Sequence, residues 1–116
     1  MDFLTSLLGG GIKSIDPAEA YARLQNKPAP LLLDVRQPEE YREVHVDGAK
    51  LIPLGELGRE AKNLPKDAEI LCICASGSRS IAATRQLTGM GFNVVNVRNG
   101  MGGWLRAGLP AKRGSK

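Results

Sequence analysis

A chain of 116 residues has room for one domain and none for a separate substrate-binding half. With 42% apolar and 24% charged residues it reads as an ordinary globular protein, able to bury a core without disulfides or metal. The net charge of +4 rests largely on Lys112, Arg113 and Lys116, and no basic patch interleaved with aromatics argues for nucleic acid.

Residues 1–11 read as a short amphipathic lead-in. Asp2 stands where a signal peptide wants a cation, and the apolar run is too short to span a membrane. The expected location is cytoplasmic. The domain is expected over 12–110, with a solvated basic tail at 111–116. Ile12 to Ile15 predicts a first strand, and Asp16-Pro17-Ala18-Glu19 opens a helix with Asp16 as N-cap. Leu31 to Arg36 is an apolar run ending in charges, as in a strand covered on both faces. Pro38-Glu39-Glu40-Tyr41 starts a short helix, Ala49 to Leu54 predicts an edge strand broken at Pro53, and Leu57 to Leu64 is weakly helical. Glu69 to Ile73 predicts a central strand and Arg79 to Thr88 a helix. Asn93 to Val97 predicts the last strand, and Trp104 to Ala107 a final helical turn. Such alternation predicts an α/β fold, a parallel sheet flanked by helices.

The chemistry concentrates at Cys74-Ala75-Ser76-Gly77-Ser78-Arg79-Ser80, directly after the strand Ile70-Leu71-Cys72-Ile73. A cysteine at the C-terminal tip of a strand sits where ligands of open α/β sheets bind. The amides of a small-residue loop and the positive end of the next helix favour an anion and a thiolate. Gly77 permits a positive φ, Ser76, Ser78 and Ser80 offer hydroxyls, and Arg79 offers a fixed charge for a small anionic donor. Cys74 is therefore the candidate nucleophile, and residues 75–80 the candidate substrate cradle.

The remaining chemistry-bearing residues read as structural. Cys72, flanked by Leu71 and Ile73, is expected in the core. Its side chain and that of Cys74 are expected to start on opposite faces, which disfavours a disulfide. A cysteine–histidine hydrolase would have to use His45, the single histidine, which is expected to make a structural hydrogen bond; no zinc set is present. Asp34 and Arg36 end a strand on the edge that carries the site and are expected to pair, supporting the loop. Trp104 is expected to anchor packing.

Together these residues resemble the single-domain rhodanese family of sulfurtransferases. The markers are Leu33-Asp34-Val35-Arg36, Glu39-Glu40-Tyr41, His45-Val46-Asp47-Gly48-Ala49, the Cys74–Ser80 loop, Gly100 to Trp104 and Ala107-Gly108-Leu109-Pro110. Two positions depart from the family pattern: Val44 replaces a glycine before the histidine, and Asn99-Gly100 replaces a Gly-Gly pair. Asn tolerates left-handed backbone, so the second change is mild.

The resemblance implies a five-stranded parallel sheet with helices on both faces, a persulfide intermediate on Cys74, and no metal or organic cofactor. It also implies sulfane-sulfur transfer from a small anionic donor such as thiosulfate to a thiol, cyanide or thioredoxin-like acceptor. A non-catalytic sulfur-carrier or partner-binding module is the alternative, though inactive domains of this kind commonly lack the cysteine. Phosphatase or arsenate reductase chemistry is the enzymatic rival, but its loops carry one more residue between cysteine and arginine.

Overall fold

The computed structural model describes residues 11–115; apart from Gly11, the expected lead-in lies outside the described residues. Five strands build one sheet: β1 (Lys13–Ile15), β2 (Leu31–Asp34), β3 (Lys50–Leu51), β4 (Glu69–Ile73) and β5 (Asn93–Val97). Their order is β1-β5-β4-β2-β3, and every pairing is parallel. β4 is thus central. The register aligns Leu33, Cys72 and Asn96 across β2, β4 and β5.

Helices α1 (Pro17–Leu24), α2 (Pro38–Glu43), α3 (Leu57–Glu60) and α4 (Ser78–Gly89) lie in the four crossovers, and α5 (Gly100–Arg106) follows the last strand. Alternating strand side chains divide the core in two. Leu33, Ile70, Cys72, Cys74 and Val94 join Leu57, Ala83 and Leu87 of α3 and α4 on one face. Leu32, Leu71, Ile73, Val95 and Val97 join Ala20 and Trp104 of α1 and α5 on the other. Each large side chain so buried contributes about 1.5–3 kcal/mol.

Several local expectations are revised. Cys72 and Cys74 share a face, because strand side chains repeat every two residues; both remain free thiols. Asp16 occupies the N-cap position of α1 in extended backbone, but its carboxylate is drawn to the Arg98 guanidinium rather than to helix amides. The stretch from Leu54 to Asn63 is a chain of 3-10 and α turns, with α3 only four residues long. α5 begins at Gly100, four residues before the expected turn, since its glycines serve close approach rather than a loop. Trp104 is fully buried; its Nε1–H donates to the Pro110 carbonyl at 2.8 Å. The basic segment after Pro110 is tied down by its backbone: Lys112 and His45 exchange amide hydrogen bonds of 2.8 and 2.9 Å.

Candidate functional site

Cys74 follows the last residue of the central strand and is fully buried. The loop above it is shaped from below by α5. The Met101 amide donates to the Cys74 carbonyl at 2.7 Å and the Gly102 amide to the Ala75 carbonyl at 3.0 Å. A trans peptide points its N–H opposite to its C=O. The amides of Ala75 and Ser76 are therefore turned away from α5. Gly100 makes this contact possible, because a Cβ there would collide with the Cys74 carbonyl oxygen. Asn99 adopts φ 65°, the left-handed geometry expected of this substitution in the family's Gly-Gly pair.

Gly77 adopts φ 113° and caps the first turn of α4. Its amide donates to the Cys74 sulfur at 3.1 Å, and the Cys74 thiol reaches the Ser80 hydroxyl oxygen at 3.4 Å. Burial opposes ionisation of Cys74. Bonds from the Ser80 hydroxyl and from the amides of Ser80, Gly77 and Ser76 outweigh it, holding the thiol below its ordinary value. The N-terminus of α4 adds its partial positive charge. Burial dominates at Cys72, which is pushed up to about 12. Two thiols on one face thus differ sharply in readiness to ionise.

Of the residues expected to form the cradle, Gly77 and Ser80 reach the sulfur by named bonds, while Ser76 and Ser78 are exposed. Arg79 does not present its charge alone. Its Nη1 and Nη2 donate to Glu40 Oε1 and Oε2 at 2.8 Å each. That pairing, with a further bond from the Gln37 amide, pulls the Glu40 carboxyl down to about 2 despite partial burial.

Asp34 and Arg36 pair at the tip of β2, as read from the sequence, through Nε at 2.9 Å and Nη2 at 2.8 Å. Arg36 also donates to the carbonyls of Glu40 at 3.3 Å and Val44 at 2.8 Å, fixing α2 beside the loop. His45 is engaged elsewhere: Nδ1–H donates to the Tyr41 carbonyl at 2.8 Å and the ring stacks on Tyr41.

Sequence reasoning missed Asn96 and Ser14. Ser80 Oγ lies 2.6 Å from Asn96 Oδ1, and Asn96 Nδ2 lies 3.2 Å from Ser14 Oγ. The available signal was an amide inside the apolar run Val94-Val95-Asn96-Val97, where it must be buried.

The rhodanese-like domain family model matches residues 16–107. The chain belongs to the rhodanese-like family. A sulfurtransferase of Allochromatium vinosum is 32% identical over 100 residues, covering 85% of this chain and 94% of that one. Thiosulfate sulfurtransferase GlpE of Pseudomonas putida is 31% identical over 97 residues, 83% of this chain and 87% of that one. A Bacillus subtilis protein named as a sulfur carrier, YrkF, is 46% identical over 74 residues, 63% of this chain and 40% of its own length. The chain thus matches less than half of that longer relative. Among solved structures, a rhodanese-related protein from Thermoplasma volcanium superimposes with a TM-score of 0.80 at 36% identity, covering 86% of this chain and 97% of that one. The family is one of sulfurtransferases, and the five-stranded parallel sheet is its fold. Among the described residues, no helix is long and apolar enough to cross a membrane.

Proposed function

We propose that the protein is a sulfurtransferase that carries sulfane sulfur as a persulfide on Cys74. The observation that carries this reading is the sulfur's setting. A single cysteine at the tip of β4 faces the Gly77 amide at 3.1 Å and Ser80 at 3.4 Å, with its ionisation favoured. The thiolate attacks the outer sulfur of thiosulfate, forming the Cys74 S–S bond while the sulfur–sulfur bond of the donor breaks and sulfite leaves with its electron pair. Cys74–S–S⁻ then stands among the loop amides. An acceptor thiolate, cyanide or thioredoxin-like protein attacks the outer sulfur and returns Cys74 to its thiolate. Ala75, Ser76, Gly77, Ser78, Arg79 and Ser80 are the substrate-binding positions in this reading, with Asp34 and Arg36 as supports. A thiol that must return to its reduced form suits the cytoplasm.

Similarity to YrkF favours a second reading, in which the domain passes its persulfide to a protein partner without turning over a small acceptor. Thiosulfate and cyanide assays separate the two. Repeated production of thiocyanate supports the enzyme; one equivalent of sulfur loaded on Cys74 and no turnover supports the carrier.

A further inference from the structure

The polar side chains under Cys74 form a chain that crosses three elements. Cys74 Sγ is 3.4 Å from Ser80 Oγ, Ser80 Oγ is 2.6 Å from Asn96 Oδ1, and Asn96 Nδ2 is 3.2 Å from Ser14 Oγ. Ser80 and Asn96 are buried, at 0% and 2% exposure, so their polar atoms must find partners within the protein. Ser14 lies half-buried on the edge strand β1.

Ser80 has one hydroxyl hydrogen. With Cys74 as a thiol, the S–H donates to Ser80 Oγ, Ser80 O–H donates to Asn96 Oδ1, and Asn96 Nδ2–H donates to Ser14 Oγ. The Gly77 carbonyl, 3.1 Å from Ser80 Oγ, is the other acceptor within reach. Ionised sulfur can only accept. Ser80 must then turn its hydrogen to the sulfur, and Asn96 Oδ1 loses its donor.

A half-turn of the Asn96 amide restores every bond in reverse. Ser14 O–H donates to Asn96 Oδ1, Asn96 Nδ2–H donates to Ser80 Oγ, and Ser80 O–H donates to the sulfur. A hydroxyl at each end of an amide is what permits both directions, since a hydroxyl donates and accepts. The Cys74 S–H bond alone breaks, its proton leaving to solvent, and no O–H or N–H bond of Ser80, Asn96 or Ser14 is broken.

We propose that Ser14, Asn96 and Ser80 form a reversible hydrogen-bond relay in which Asn96 is a positioning residue, directing the Ser80 hydroxyl at ionised Cys74. The inference rests on Cys74 being the reactive thiolate. The relay keeps the buried sulfur satisfied in both charge states, which a fixed donor or a fixed acceptor cannot. Cys72 on β4 and Arg79 on α4 are the charged or titratable groups that interact with Cys74; Arg79 is paired with Glu40 on α2, and Asp34 and Arg36 pair with each other at the tip of β2. None of them belongs to the relay, so its contribution can be read separately.

The test is the pH profile of Cys74 alkylation by iodoacetamide in the full chain, with the modified residue identified by peptide mass. Asn96→Leu is expected to move the profile toward higher pH and slow alkylation at neutral pH roughly tenfold, the worth of one hydrogen bond to a charged group. Asn96→Asp, an acceptor that holds the Ser80 hydrogen away from sulfur, is expected to move it the same way. In a Ser80→Ala background, Asn96→Leu is expected to add nothing, because Asn96 acts through Ser80. A profile for Asn96→Leu that superimposes on wild type, or an effect that adds in full to that of Ser80→Ala, overturns the relay. Should Asn96→Leu fail to fold, Ser14→Ala on the edge strand carries the test, with the same direction expected and superposition overturning it. Thiosulfate loading separates the two levels: a wild-type chain that takes no sulfur on Cys74 defeats the proposed function. A Cys74 that loads normally and titrates unchanged in these variants defeats the relay alone.

Discussion

Arg79 and Glu40 meet through two parallel hydrogen bonds of 2.8 Å, joining the first turn of α4 to the start of α2. The loop arginine is therefore a strut as well as a charge. Arg79→Ala is expected to lower the melting temperature by a few degrees and weaken thiosulfate loading together. A partly exposed bidentate pair of this kind contributes about 1 kcal/mol after solvent screening. Thermal unfolding and kcat/KM measured on the same variant check the coupling.

The pair also sets an acid dependence. Glu40 titrates lower in the folded chain than in the unfolded one, so its contribution is present above the ordinary glutamate range. It is lost as pH falls from about 4.5 toward about 2. Glu40→Gln is expected to remove that part of the acid slope, narrowing the gap to wild type as pH falls through this window. Urea midpoints across the window measure it; a gap that widens toward pH 2 contradicts the assignment.

Asp34 and Arg36 are almost wholly buried, and Arg36 holds two carbonyls of the α2 region besides its partner. Removing one charge strands the other away from water. Arg36→Met is expected to cost about 3–5 kcal/mol in denaturant unfolding, and Asp34→Leu combined with Arg36→Met less than either alone. Equal losses in the double and single variants would show that the pair is not what stabilises this corner.

Gly77 and Gly100 predict a graded pair. A Cβ on Gly77 meets nothing closer than 3.4 Å, so Gly77→Ala suffers backbone strain alone, about 1–3 kcal/mol. Gly100→Ala adds a collision with the Cys74 carbonyl and is expected to unfold at lower denaturant than Gly77→Ala and to load less sulfur. The reverse ranking would mean that the contact between α5 and the loop is dispensable.

The order of strands and helices was legible because buried parallel strands appear as apolar runs, and proline and glycine mark the breaks. The cysteine loop was legible for a related reason: small residues after a strand have few roles other than letting backbone approach a ligand. Less legible were relationships across the sheet. The Glu40 partner of Arg79 lies 39 positions away and Ser14 lies 82 from Asn96, distances that no local pattern encodes. Gly100, Gly102 and Gly103 are poor helix formers, so local propensity does not reveal the first turn of α5. Close contact with the loop outweighs that propensity here. Cys72 and Cys74 were expected on opposite faces, but they stand two residues apart, and the strand period of two places both on one side.

Loop length and the engaged arginine bear jointly on the phosphatase alternative. Four residues separate Cys74 from Arg79, and both terminal nitrogens of Arg79 already face Glu40. Negligible hydrolysis of p-nitrophenyl phosphate is expected from the wild-type chain. One small residue inserted between Ser78 and Arg79 is expected to depress sulfur transfer. Robust phosphatase turnover abolished by Cys74→Ser would reverse the assignment.

The central claim is that Cys74 holds the sulfur, and the most direct measurement is the intact mass of the chain after incubation with thiosulfate. Wild type and Cys72→Ser are expected to gain one sulfur atom that cyanide or dithiothreitol removes, and Cys74→Ser to gain none. Sulfur uptake undiminished in Cys74→Ser, or lost only in Cys72→Ser, would contradict the account.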